Sequence, residues 1–342
     1  MGVGVFGSRK GWWTVIGLAG VAGAAAVAAR RRSAGSAEAA APDRSDVFST
    51  PRFEPEVLSV VSADGTELHV RVFGDPDAEP IVFSHGWVCS TEFWNPQVNA
   101  LAGKYRVVTY DQRGHGRSGI GTAPLSPDVL ADDLAAVLAA TVRDGHKAEI
   151  VGHSMGGMSI VAWARRYPEQ VEQYASSILL ASTGTDKLVA ETTIIPLPQR
   201  FPRVPMPVGR AILGSTLPMP ASPMATRAIQ YIALAPGSAR DEIAFCEQIV
   251  NACPRQTRGG WGAALSTLDI TDGLKNLTVP TTVLVGAADR LTPPSHARRL
   301  AQLLDDTEHL DRLIVLPGIG HMTSVEAVDE FNTEIERLRA LG

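Results

Sequence analysis

A chain of 342 residues, 45% hydrophobic and 20% charged, has the make-up of a soluble globular body, which excludes a disordered or multi-span membrane protein. Its length permits one large α/β domain with an insertion, or two smaller domains. The net charge is −5, and residues 1–45 carry six Lys/Arg against two Asp/Glu, or +4, so the rest bears −9; an acidic body without a dense basic run excludes nucleic acid as a partner.

The first element in chain order is "WWTVIGLAGVAGAAAVAA", Trp12 to Ala29, uncharged over 18 residues. As a helix it would reach roughly 27 Å, close to a bilayer core. Trp12 and Trp13 sit at one edge and Arg30 to Arg32 close the other, so residues 1–32 are expected to form a hydrophobic membrane anchor, with the body on the cytoplasmic side. Two other readings stay open: an export signal, with Arg9-Lys10 as its charged region and "AVA" before Ala29 as its cleavage site, and an apolar helix packed on the body. Residues 33–55, rich in Ala, Ser, Pro and charge without periodicity, are expected to be a flexible linker.

From Val57, "VLSVVSADGTELHVRVF" predicts two strands joined at Asp64-Gly65. Further strands are predicted at Ile81–Ser84, Arg106–Tyr110, Ala148–Val151, Ser177–Ala181, Thr281–Val285 and Arg312–Leu316, with helices over Asp128–Val142, Ser154–Arg166, Pro294–Leu304 and Ser324–Leu341. Such alternation predicts a mostly parallel sheet wrapped by helices. It breaks between Gly184 and Leu277, where prolines cluster and three of the seven methionines fall. Residues 56–183 and 278–342 are therefore expected to form the core, and 184–277 an apolar helical cap over the site. Cys89, Cys246 and Cys253 have neither an even count nor metal-ligand spacing with histidines, and read as packing residues; a Cys246–Cys253 disulfide stays open for an exported body.

"AEIVGHSMGGMS", Ala148 to Ser159, places Ser154 between Gly152 and Gly156. Glycine on either side permits a sharp strand-to-helix turn that pushes the serine outward, the arrangement of a nucleophile elbow. Four blocks then carry a family resemblance: "SHGW" at 84–87, "DQRGHGRSG" at 111–119, "GHSMGG" at 152–157, and "GAADRLTP" with "GIGHM" near the end. The chain resembles α/β-hydrolase-fold proteins with a cap domain, from about Val57 to the C-terminus. The resemblance implies a mostly parallel eight-stranded sheet flanked by helices, with a helical cap inserted after strand 6.

A serine hydroxyl needs a base, and the base an orienting carboxylate. His321 and Asp289 each follow a predicted strand, in the chain order Ser, Asp, His that this fold uses; Asp186 is the reserve acid, and His146, His296 and His309 read as surface positions. The resemblance implies that the backbone N–H groups of Trp87 and Met155 form the oxyanion hole. "GHGRSG", Gly114 to Gly119, spells a dinucleotide fingerprint, but "IGTAPLSPD" follows where a helix is required, so a dinucleotide oxidoreductase is disfavoured. The expected activity is hydrolysis of a small hydrophobic ester or lipid-like substrate through an acyl-enzyme on Ser154, with no cofactor and no metal. Open alternatives are a cofactor-free perhydrolase or C–C hydrolase of the same fold, and a ligand-binding member without catalysis.

Overall fold

The turn at Asp64-Gly65 sets the first two strands. Gly65 adopts φ +84°, a left-handed value that costs glycine little, and the Asp64 carboxylate accepts the Thr66 N–H at 3.2 Å. Strand β1 (Glu56–Val61) therefore folds back antiparallel on β2 (Glu67–Phe73). The computed structural model describes residues 45–194, 206–217 and 222–341.

Strands β3 (Pro80–Ser84), β4 (Arg106–Tyr110), β5 (Ala148–His153), β6 (Ala175–Ala181), β7 (Thr281–Gly286) and β8 (Leu310–Leu316) complete an eight-stranded sheet ordered β1-β2-β4-β3-β5-β6-β7-β8. Only the pairings of β2 are antiparallel. The helices are α1 (Ser45–Phe48), α2 (Asn95–Leu101), α3 (Pro127–Thr141), α4 (Met155–Arg166), α5 (Pro168–Tyr174), α6 (Leu188–Glu191), α7 (Met206–Leu213), α8 (Pro223–Ala233), α9 (Arg240–Ala252), α10 (Arg255–Leu265), α11 (Pro294–Asp305), α12 (Thr323–Glu326) and α13 (Val328–Arg339).

Strands β3, β4, β5 and β7 are buried at every position, because helices cover both faces of the parallel sheet. Leu134 of α3, Trp163 of α4 and Leu300 of α11 close one face. Val98 of α2 with Phe331 and Ile335 of α13 close the other. Helix α13 buries Val328, Phe331, Ile335 and Leu338, three and four residues apart, so one stripe faces the sheet. The single helix predicted over Ser324–Leu341 is instead two, parted at Ala327 (φ −136°, ψ 55°). Glu326, just before the break, turns its carboxylate back onto the N–H groups of Gly320 and Met322.

Between β6 and β7 the described residues form helices α6 to α10 and a 3-10 helix, Thr271–Asn276; residues 195–205 and 218–221 of this stretch lie outside the described residues. Helix α10 is pinned to the core by side-chain bonds. Thr257 Oγ1 donates to the Gly114 carbonyl at 2.8 Å, Trp261 Nε1 to that of Arg113 at 2.9 Å, and Trp87 Nε1 to that of Arg258 at 3.0 Å. All three cysteines are unpaired, so the Cys246–Cys253 bond held open above is not formed.

Part of the stretch read as linker, 33–44, lies outside the described residues. The rest packs on the body: Phe48 is buried and stacks on Phe245 of α9, ring centroids 4.9 Å apart, and the Arg52 N–H donates to Asn99 Oδ1 at 3.1 Å.

The membrane anchor expected over residues 1–32, and with it a membrane partner and a membrane-bound location, is corrected. Among the described residues no helix is long and apolar enough to cross a membrane, and Trp12–Ala29 lies outside them. Ala and Gly make up ten of the 18 residues of that run; their side chains bring little apolar surface, so length without bulk is a weak signal for insertion.

Glu149 on β5 stands out. It is fully buried, and neither carboxyl oxygen has a hydrogen-bond partner among the described residues; across the ladder it faces Ser177, whose hydroxyl is also unpartnered. Burial pushes this carboxyl well above the ordinary carboxylate range; the positive charge of Arg339 opposes the shift and Glu334 adds to it. A carboxyl with a raised folded-state pKa binds more protons folded than unfolded, so its cost to stability grows as pH rises above its ordinary 4.5. Replacing it with leucine removes an unsatisfied polar group, so Glu149→Leu is expected to gain about 1–3 kcal/mol at neutral pH. Urea unfolding checks this, the gain shrinking toward pH 4.

Candidate active site

At the C-terminal end of β5, the chain must turn from strand into helix within one residue. Ser154 takes φ 52°, ψ −116°, strained for a side chain with a β-carbon. Its backbone is fixed on both sides: its N–H donates to the Ala181 carbonyl at 2.9 Å and its carbonyl accepts Thr183 Oγ1 at 2.7 Å. The flanking glycines are required by contact. A β-carbon on Gly152 would lie 2.6 Å from the Gly156 carbonyl oxygen, and one on Gly156 would overlap the Ser84 carbonyl. Ser154 is thereby left partly exposed while its neighbours on both sides are buried.

Asp289 and His321 are carried on the loops after β7 and β8, and the structure brings them together. His321 Nδ1 donates to Asp289 Oδ2 at 2.8 Å, both residues being buried. The other carboxylate oxygen, Oδ1, accepts the N–H groups of Leu291 and Thr292, each at 2.9 Å. The two loops are tied to each other as well, the Ala288 N–H donating to the Ile319 carbonyl at 2.8 Å. Ser154 is linked to this pair through its neighbour: His153 Nε2 donates to the His321 carbonyl at 2.9 Å, with the imidazole centroids 4.9 Å apart.

The loop after β3 passes directly over the elbow. A β-carbon on Gly86 would lie 2.9 Å from His153 Nδ1 and 3.2 Å from Ser154 Cβ, so glycine lets the loop come this close to the elbow without displacing either side chain. The Trp87 N–H has no acceptor among the described residues. Met155, as the first residue of α4, carries one of the N–H groups that a helix start leaves without an intrahelical acceptor. The two expected oxyanion donors therefore lie on the loop that crosses the elbow and at the first position of the helix that leaves it.

The "DQRGHGRSG" stretch explains how that loop is held. Asp111 accepts the N–H groups of Thr91 at 2.7 Å and Arg117 at 3.0 Å. His115 Nε2 accepts the N–H of Val88 at 3.3 Å, and His85 Nε2 accepts that of Gln112 at 3.0 Å while its Nδ1 donates to the Gly86 carbonyl at 2.8 Å. Both imidazoles must be neutral to accept, and burial pushes them down to about 4 for His85 and about 3 for His115. Gly114 and Gly116 adopt positive φ, 78° and 49°, and no helix starts among these glycines, which removes the dinucleotide alternative.

Of the remaining sequence candidates, Asp186 is engaged elsewhere, accepting Arg299 Nη2 at 2.5 Å. His296 is fully buried beneath Gly184, a correction to its reading as a surface position; residues of the insertion cover it. Sequence reasoning missed Thr292, whose hydroxyl lies 2.9 Å from Asp289 Oδ2 and 2.8 Å from the Ser182 carbonyl. An Asp with Thr three positions on is a turn signal that could have found it.

This sheet, with a serine elbow after β5 and an Asp–His pair after β7 and β8, defines an α/β hydrolase. Residues 81–334 match the alpha/beta hydrolase family, and the chain belongs to it. It is similar to a non-heme chloroperoxidase of Burkholderia pyrrocinia, 28% identical over 290 residues, covering 81% of this chain and 97% of that protein. A bifunctional esterase/perhydrolase of Acinetobacter calcoaceticus is also 28% identical, over 285 residues, with the same coverage. Among solved structures, an esterase from Rhodococcus sp. ECU1013 superposes with TM-score 0.66 at 25% identity, covering 84% of this chain and 99% of that one.

Proposed function

We propose that this hydrolase cleaves carboxylic esters of small hydrophobic molecules through a Ser154–His321–Asp289 triad, as a carboxylesterase. The observation that carries the reading is the 2.8 Å bond from His321 Nδ1 to Asp289 Oδ2, beside a serine held out at φ 52°. His321 Nε2 takes the hydroxyl proton as Ser154 Oγ attacks the ester carbonyl, and the tetrahedral oxyanion is received by the N–H groups of Trp87 and Met155, each such donor supplying about 2.7–4 kcal/mol. The proton then passes to the departing alcohol, and water, deprotonated by the same imidazole, releases the acid from Ser154. Asp289 holds the ring in the tautomer with Nδ1 protonated, which leaves Nε2 free to accept. Residues 184–277 act as a cap bounding the acyl pocket, a role supported by the anchoring of α10 to Trp87, Arg113 and Gly114.

The test is hydrolysis of p-nitrophenyl esters of graded chain length by the full chain, beside Ser154→Ala. Turnover is expected to fall about 10⁶-fold in the variant, as for other serine triads. A variant within tenfold of the parent overturns the mechanism, and the chain-length optimum sizes the pocket. A second reading, cofactor-free perhydrolysis on the same serine, draws support from relatives named chloroperoxidase and esterase/perhydrolase. Supplying acetate and hydrogen peroxide and measuring peracetate decides between hydrolysis alone and both.

A further inference from the structure

His321 sits on a loop with no regular structure of its own between β8 and α12, yet a base must be held to within a fraction of an ångström. What holds it lies five residues on. Glu326 Oε2 accepts the Gly320 N–H at 3.0 Å and Oε1 accepts the Met322 N–H at 3.1 Å, so one carboxylate grips the backbone on both sides of His321. The same Oε2 also accepts the Ala235 N–H at 2.7 Å and the Ser238 hydroxyl at 2.9 Å, both in the turn between α8 and α9. The His321 N–H completes the joint by donating to the Ala233 carbonyl at 2.9 Å. Gly320 is required there, since a β-carbon would lie 2.5 Å from Ala235 N and 2.8 Å from Glu326 Oε1.

The acid's loop meets the same turn. Arg290, next to Asp289, donates through Nη1 to the carbonyls of Tyr231 at 2.8 Å and Leu234 at 3.3 Å. Its guanidinium lies 4.5 Å from the Tyr231 ring centroid. The C-terminal end of α8 therefore accepts from Arg290 and His321, and the residues that follow it donate to Glu326.

We infer that Glu326 is a positioning residue, which fixes the backbone of His321 and fastens it to the α8–α9 turn of the inserted segment. The inference rests on the triad reading above. Three of the four partners of this carboxylate are backbone N–H groups that can only donate, one on Oε1 and two on Oε2, so an acceptor is required at both oxygens; the Ser238 hydroxyl also lies 3.0 Å from the Ala235 carbonyl. In Glu326→Gln the new NH₂ must face either Met322 N–H or the three donors at Oε2, wherever the amide turns. The loop then shifts with no change in side-chain volume, and a shift of about 1 Å at a base costs about 10²-fold in rate.

The experiment compares full-length Glu326→Gln, Ser238→Ala and Glu334→Gln with the parent. Glu334 is the control: a buried carboxylate on α13 bonded to Thr282 Oγ1 at 2.8 Å and Arg312 Nη2 at 2.6 Å, with no contact to either triad loop among those bonds. Glu326→Gln is expected to lose about 10²-fold in kcat with KM within about threefold, the signature of a group acting on the transition state rather than on substrate binding. Ser238→Ala, losing one donor of four, is expected to lose several-fold, and Glu334→Gln to lower Tm at unchanged kcat. By NMR, the proton between His321 and Asp289 is expected to move or broaden in Glu326→Gln and to stay in place in Glu334→Gln.

A folded Glu326→Gln with kcat within twofold of the parent overturns the inference. So does a kcat loss matched by Glu334→Gln at equal loss of Tm. If Glu326→Gln does not fold, Ser238→Ala decides by the same split of kcat and KM, an unchanged kcat being the overturning result. If the parent turns over no ester, the esterase reading fails separately, and the NMR proton alone decides: unchanged in Glu326→Gln, it overturns the clamp.

Discussion

On the triad proposed above, Asp289→Asn is expected to lower kcat by about 10⁴-fold while leaving the fold intact, because the substitution forces the wrong tautomer on His321. The local bonds say which way the new amide must point. Oδ1 of Asp289 accepts two backbone N–H groups, from Leu291 and Thr292, so the asparagine must keep its carbonyl oxygen at that position. Its NH₂ is then placed at Oδ2, 2.8 Å from His321 Nδ1. A donor there can be met only by an unprotonated Nδ1, so the ring carries its hydrogen on Nε2 and has no lone pair for the Ser154 proton. Ester turnover beside a thermal melt checks both halves. A folded variant within tenfold of the parent would show that Asp289 does not set the tautomer, and with it the assignment of acid to this residue would fall.

The elbow and the Asp–His pair were legible because they are local or strand-end features. The glycines at 152 and 156 report the backbone's need directly, and Asp289 and His321 each follow a strand whose apolar run is readable. The links of Glu326 and Arg290 to the α8 region were not legible, since those partners lie 91 and 59 residues away and no periodicity or motif announces a bond across that distance. His296 was misread for the same reason: its helix is amphipathic, but the residues burying it come from the insertion near Gly184. The break between α12 and α13 hid likewise, because the run from Ser324 is helical in composition and the parting at Ala327 (φ −136°, ψ 55°) has no Gly or Pro to announce it. Helix α2, seven residues long with Pro96 near its start, is too short to show a period. The glycine-rich stretch at 114–119 shows the converse: a pattern with a cofactor reading whose positive φ angles serve a turn around the Asp111 carboxylate.

Arg113 in that turn is expected to be costly to remove for stability, with Arg113→Met losing about 3–5 kcal/mol. It is fully buried and bidentate toward two carboxylates: Nε and Nη2 donate to Asp133 at 3.0 and 2.7 Å, and Nη1 and Nη2 to Asp64 at 2.6 and 3.0 Å. These bonds join the β1–β2 hairpin to α3, while the Arg113 carbonyl receives Trp261 of α10. Without the guanidinium, Asp133, itself buried, keeps only the Ser62 hydroxyl at 2.5 Å against the cost of an uncompensated charge. The pH dependence follows from the same groups. The Arg113 hydrogen bonds hold the Asp64 carboxyl well below its ordinary 3.8, so this pairing stabilises the fold above that value and is lost as pH falls through the depressed one. Burial raises the Asp133 carboxyl even with Arg113 beside it, and removing the cation raises it further, so the variant sheds stability as pH climbs through the acid range. Both terms widen the deficit from acid to neutral pH. Urea unfolding of parent and Arg113→Met at pH 4 and pH 7 is expected to show the smaller difference at pH 4, and a deficit independent of pH would mean that packing of the arginine stem, not its charge, is what the fold depends on.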